Sequence, residues 1–159
     1  MHCKDCGNSG PSCGNFHVYV IELRESVLVK EPGFPYDGKI PLPEGKKCYY
    51  VGQTTHRVTC RYKQHTEWEE GGKFVCNCFG GRKERAYRSQ NKPGKYVKIF
   101  HKDDGLRPEL YSSGNPAVLK ESEKGSGAAK RLLDRIEEKE ELLALELREI
   151  GHAVHYGKK

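Results

Sequence analysis

From Gly127 to Ile150 apolar residues recur every three or four positions, at Leu132, Leu133, Ile136, Leu143, Leu147 and Ile150, with charged side chains between them. That spacing fits a helix with one apolar stripe and Gly151 as its stop. A helix of this kind has to bury its stripe against a second layer, so it commits the chain to a layered fold. One position breaks the stripe. Glu140 falls among the inward positions, while Glu137, Glu138 and Glu141 have more freedom. Burying a carboxylate is costly unless a cation or hydrogen-bond donors compensate it. Glu140 is therefore read as a metal ligand or catalytic group, or else as half of a structural ion pair, with Arg61 as its candidate partner.

The second layer is expected from three β-rich segments, HVYVIEL (17–23), KCYYVG (47–52) and KYVKIF (95–100). The Pro- and Gly-rich run EPGFPYDGKIPLPEG (31–45) is incompatible with a helix and reads as an excursion between the first two strands. After YVG, Thr54 or Thr55 is placed to cap a helix through about Glu70, with Arg61 and His65 on one face. KFVCNCFGG (73–81) reads as irregular, and DDGLRPELYSSGNP (103–116) as loop with a turn or short helix near Pro108. HAVHYG (152–157) reads as a last short strand. The expected fold is α/β (α+β): a small, mostly antiparallel, three-stranded central sheet flanked by helices. A Cys-rich segment, 1–16, precedes a single domain over 17–157.

Charge narrows the partners. The chain carries a net charge of +6, but residues 127–150 hold seven acidic and five basic side chains, so the remainder carries +8. Residues 82–102, RKERAYRSQNKPGKYVKIFHK, contain eight Lys or Arg against one Glu, interleaved with Tyr87, Tyr96 and Phe100. Basic side chains tracking a phosphate backbone, with the aromatics either packing inward or stacking on bases, would make this a nucleic-acid surface. A solvated basic loop is the plainer reading. The candidate contacts are Arg82, Lys83, Arg85, Arg88, Lys92, Lys95 and Lys98.

Seven cysteines, an odd number, fit a complete disulfide set poorly. Cys3 and Cys6 have the spacing of a ligand pair, and Cys76 with Cys78, or Cys13, would complete four thiolates around zinc. Free thiols in loops are the alternative, and Cys48 and Cys60 fall within core elements. MHCKDC lacks the apolar run of a signal peptide, and no stretch approaches the roughly 20 apolar residues of a membrane span. The expected setting is the cytoplasm, without membrane contact.

With Tyr19 in HVY, Tyr50 in YVG, Arg61, His65 and Glu140 in place, the chain resembles the GIY-YIG nuclease superfamily. That family includes certain homing endonucleases, restriction enzymes and the incision nuclease of nucleotide excision repair. The likeness is nearest to small bacterial members and covers about residues 17–157, in the order YVGQT, RYKQH, LRPELY (106–111), NP (115–116) and EELLALELREIG (140–151). The chain departs from the pattern in having His17 where Gly is usual, Val51 for Ile, and His152 where the family often has Asn. The insertion at 24–46 and the cysteine-bearing segments at 1–16 and 73–80 look like additions to the minimal pattern.

The resemblance implies a DNA endonuclease. Glu140 would hold one divalent ion, Mg²⁺ or Mn²⁺, and Arg61 would fork onto the scissile phosphate. Tyr19 would serve as general base with Tyr50 beside it. A phenol with a pKa of about 10 is barely ionised at neutral pH, so His65 would accept or orient its proton. Without the resemblance the two tyrosines read as cross-strand packing. One such site cuts one strand per engagement, and the long helix offers a surface for a homodimer. A non-catalytic, zinc-containing nucleic-acid-binding module and a nuclease acting on RNA are the competing readings.

Overall fold

The computed structural model describes residues 17–54, 58, 62, 65, 66, 73–76, 83–86, 92–110 and 125–156. Its centre is a four-stranded sheet of order β5-β1-β2-β6, formed by β1 (His17–Leu23), β2 (Cys48–Thr54), β5 (His101–Leu106) and β6 (Ala153–Tyr156). β1 pairs antiparallel with β2, placing Tyr19 opposite Gly52 and Ile21 opposite Tyr50. β5 is antiparallel to β1, whereas β6 runs parallel to β2, with Tyr50 beside His155 and Val51 beside Tyr156. The sheet is thus mixed, two of its three pairings antiparallel, and has four strands where the sequence leads to three. A separate antiparallel hairpin joins β3 (Lys73–Cys76) to β4 (Lys83–Ala86). KFVC, read as irregular, is therefore extended.

The segment KYVKIF is the main correction. It lies in a helix, α2 (Lys92–Phe100), and the strand follows it. Tyr96, Val97 and Phe100 are buried while Ile99 is exposed. That is one helical face; a strand would have grouped Tyr96 with Lys98 and Phe100 instead. Pro93, in the first turn, is tolerated there because the amide it lacks would have had no intrahelical acceptor. The Asp103–Leu106 portion of the presumed loop is strand, and Pro108–Leu110 forms the expected short helix, of 3₁₀ type. Before β2, the chain makes one helical turn, α1 (Val27–Lys30), and the Pro/Gly-rich excursion after it buries Phe34 and Leu42.

Alternation along the strands divides the core into two layers. Tyr19, Ile21, Leu23, Cys48, Tyr50 and Ala153 pack with Val27, Phe34, Val58, Tyr96, Val97 and Phe100. Val18, Val20, Tyr49, Val51 and Val154 meet the long helix α3 (Ala128–Ile150) through Ile136, Leu143, Ala144 and Leu147. β1 reads as a nearly continuous apolar run because both its faces are covered. Its exception, Glu22, is buried against Lys102 at 2.7 Å, Arg107 at 2.9 Å and Lys47 at 3.7 Å.

α3 begins and ends within a residue of the span that periodicity predicts. Gly151 closes it at φ 114°, a conformation that disfavours any side chain. The Gly151 N–H donates to the Arg148 carbonyl and the His152 N–H to that of Leu147, the paired bonds of a Schellman motif. The stripe narrows at its end, where Ile150 is exposed. Among the described residues no helix is long and apolar enough to cross a membrane.

Candidate active site

Period two along β1 and β2 puts Tyr19, Tyr50 and Gly52 on one face of the sheet, and the register sets Tyr19 directly across from Gly52. The Tyr19 phenol lies over β2 because Gly52 has no side chain. A Cβ there would come within 2.5 Å of the Tyr19 Oη and 2.8 Å of Tyr50 Cε2. The glycine of YVG is thus a clearance for two aromatic rings.

The third member comes from the helical positions after β2. Val58, Tyr62, His65 and Thr66 are all helical, in agreement with the predicted helix; of its two capping candidates, Thr54 closes β2 and Thr55 lies outside the described residues. Val58 enters the core, and Tyr62 fastens the segment to β5: its hydroxyl donates to the Lys102 carbonyl at 3.1 Å and accepts from the Gly105 N–H at 3.0 Å. His65, one turn on from Tyr62, then places Nε2 3.3 Å from the Tyr19 Oη. The Tyr50 ring meets His65 edge-on at 5.9 Å and lies 6.2 Å from the Tyr19 ring. Arg61 lies outside the described residues.

Glu140 is 3 % exposed, as its place in the α3 stripe predicts. It projects from the helix that covers the Val18–Val51 layer. Burial first, then Glu141 and in smaller part Glu140, push the Tyr156 phenol up from its ordinary value. Tyr156 pairs with Val51, next to Gly52. Glu140 thus lies on the face of the sheet opposite Tyr19 and Tyr50, within electrostatic reach of Tyr156. A single carboxylate of this kind suits Mg²⁺, which keeps several waters and takes few protein ligands.

His152 has a local task. Its Nδ1 accepts from the Lys47 N–H at 3.1 Å, and its ring stands edge-on to Tyr49 at 5.0 Å. Burial, then the cation of Lys46, hold the imidazole below its ordinary pKa, which keeps Nδ1 an acceptor. Of the proposed zinc ligands, Cys76 closes β3, while Cys3, Cys6 and Cys78, with the alternative Cys13, lie outside the described residues. Among the described residues no three His, Cys, Asp or Glu gather around a common point. Cys48 is a buried free thiol. The basic candidates fall on two elements, Lys83 and Arg85 on β4 and Lys92, Lys95 and Lys98 on α2, with Arg82 and Arg88 outside the described residues.

Three further residues at this site are ones the sequence gives no reason to place here. His155, 6 % exposed, stacks on Tyr50, and Phe34 and Tyr96 enclose it. The parallel pairing of β6 with β2 brings His155 beside Tyr50, while Phe34 comes from the excursion and Tyr96 from α2. Comparison of the chain with protein-family models, with curated proteins and with solved structures gave no match.

Proposed function

We propose that this protein is a divalent-metal-dependent endonuclease that hydrolyses phosphodiester bonds in DNA. The observation that carries the reading is the Tyr19 hydroxyl held 3.3 Å from His65 Nε2 above the side-chain-free Gly52. A buried phenol needs a partner for its oxygen in any case, and a neutral imidazole nitrogen is one that can also take its proton.

In the proposed mechanism, His65 carries its proton on Nδ1 and receives the Tyr19 proton at Nε2. Tyr19 Oη, its own proton passed to His65, then takes a proton from the attacking water. Tyr50 confines both rings. Arg61 supplies a planar fork for the scissile phosphate, for which guanidinium geometry suits better than an ammonium. Glu140 is the group to hold Mg²⁺, which when bound would neutralise charge on the phosphoryl oxygens. Lys83, Arg85, Lys92, Lys95 and Lys98 would follow the backbone of the nucleic acid. One such centre cuts one strand, so a double-strand break takes a second copy or a second engagement.

The test is incubation of supercoiled plasmid with the protein in Mg²⁺ and in EDTA, beside Glu140→Ala. Nicking in Mg²⁺ alone, lost in Glu140→Ala while DNA binding persists, is the expected result. Binding with no metal-dependent cutting by the folded parent would favour the non-catalytic module. Cleavage of RNA in preference to DNA would reassign the substrate.

A further inference from the structure

We propose that His155 is a positioning residue for Tyr50, and that the excursion before β2 together with α2 exists in part to hold it there. The catalytic consequence rests on the endonuclease reading; the positioning itself does not. Parallel pairing sets Tyr50 and His155 side by side on the same face of β2 and β6. Their rings are nearly parallel and offset, with planes at 18° and centroids 6.0 Å apart.

His155 is itself clamped. Tyr96 of α2 meets it edge-on at 5.5 Å, and Phe34, from the excursion after α1, lies at 6.1 Å. Phe34 and Tyr96 touch each other edge-to-face at 5.3 Å, so the clamp is closed on both sides. All four rings are at most 6 % exposed. In front, Tyr50 faces His65 at 5.9 Å and Tyr19 at 6.2 Å. Tyr50 is thus fixed between two imidazoles, one at the reacting phenol and one behind. A tyrosine turns about two side-chain torsions, and a rigid ring packed alongside restrains both more closely than a flexible aliphatic group. The insertion at 24–46, unexplained by the catalytic residues, gains a purpose: Phe34 stiffens the site from the rear.

The two informative variants are His155→Phe, which keeps a flat ring, and His155→Leu, which fills the space without one. Both are first checked for folding by thermal melting. Plasmid nicking is then measured as kcat and KM, and the Tyr50–His65 ring-proton contacts are followed by NMR. His155→Phe is expected to retain both the contacts and most of kcat. His155→Leu is expected to lose the contacts and about 100-fold in kcat with KM unchanged, the scale of a small misplacement of a catalytic group. Intact contacts and kcat in His155→Leu, or a His155→Phe variant as impaired as His155→Leu, would overturn the proposal. Should the parent fail to cut DNA, the endonuclease reading fails, and the ring contacts in the two variants still decide whether His155 positions Tyr50.

Discussion

The hydroxyl of Tyr19 lies 3.3 Å from Nε2 of His65, joining the middle of the first strand to the helical segment that follows the second. Tyr19→Phe removes that oxygen and keeps the buried ring. Stability should fall by about 1 kcal/mol, the worth of one hydrogen bond. Nicking should fall by about 10²- to 10⁴-fold, the range for a general base. Thermal melts and plasmid nicking, run side by side, separate the two effects; equal activity in the variant would remove Tyr19 from the chemistry.

Gly52→Ala is expected to disturb the site more than its one methyl group suggests. The new Cβ would meet Tyr19 Oη at 2.5 Å and Tyr50 Cε2 at 2.8 Å, and both rings lie in a packed layer with little room to retreat. Overpacking of this kind costs about 1–3 kcal/mol. A urea melt measures that loss, and NMR should show the Tyr19 and Tyr50 ring signals displaced. Unshifted signals would contradict the clearance assigned to this glycine.

Glu22 gives the fold an acid limit. Burial alone would raise its carboxyl, but hydrogen bonds from Lys102 and Arg107, with the charges of Lys102 and Lys47, outweigh it and hold the group below its ordinary 4.5. The folded state therefore binds fewer protons here than the unfolded chain. The stabilisation is complete above the unfolded value and is lost as pH falls through the folded one. Glu22→Gln should be less stable near neutrality by about 1–2 kcal/mol, since its partners are partly solvated. Its stability should also decline less steeply below about pH 5. Denaturant midpoints across that range provide the check, and parallel pH profiles for parent and variant would refute the assignment.

Tyr96 offers a gain in stability. Its ring is 1 % exposed, and among the described residues its hydroxyl has no hydrogen-bond partner. A buried hydroxyl left unpaired is unfavourable, so Tyr96→Phe, which keeps the ring against Phe34 and His155, should stabilise the fold by about 1 kcal/mol. A lower melting temperature in the variant would mean that a water satisfies this oxygen.

Cys48 should be inert while the protein is folded. Burial first, then the carboxylates of Glu25 and Glu22, push its thiol up to about 12. At pH 8 the thiolate is then about one part in ten thousand. Iodoacetamide labelling of Cys48, read by peptide mapping, should track global unfolding in urea. Rapid labelling of the native protein would show that β2 opens locally.

The legible parts of the fold were those set by a local rhythm. HVYVIEL and KCYYVG read as strands because branched and aromatic side chains recur there, and α3 reads as a helix from its stripe and Gly151. KYVKIF was misread because, over so short a stretch, an apolar cluster satisfies both periods; burial of Tyr96, Val97 and Phe100 against β1 decided for the helix. The strand at 101–106 went unread because HKDDGL offers two acids and a glycine, and it is extended by pairing with β1, not by propensity.

The same division runs through the candidate site. Period two on β2 was enough to put Tyr50 and Gly52 on one face, and period 3.6 was enough to turn Glu140 inward. Those are properties of one element at a time, fixed by backbone geometry whatever the rest of the chain does. Tertiary structure alone decided that His65 meets the Tyr19 oxygen, that β6 lies parallel to β2, and that Phe34, Tyr96 and His155 close behind Tyr50. These contacts join segments far apart in the chain, and no local preference encodes them. They form because two layers of apolar side chains can be buried together only when the sheet takes this order.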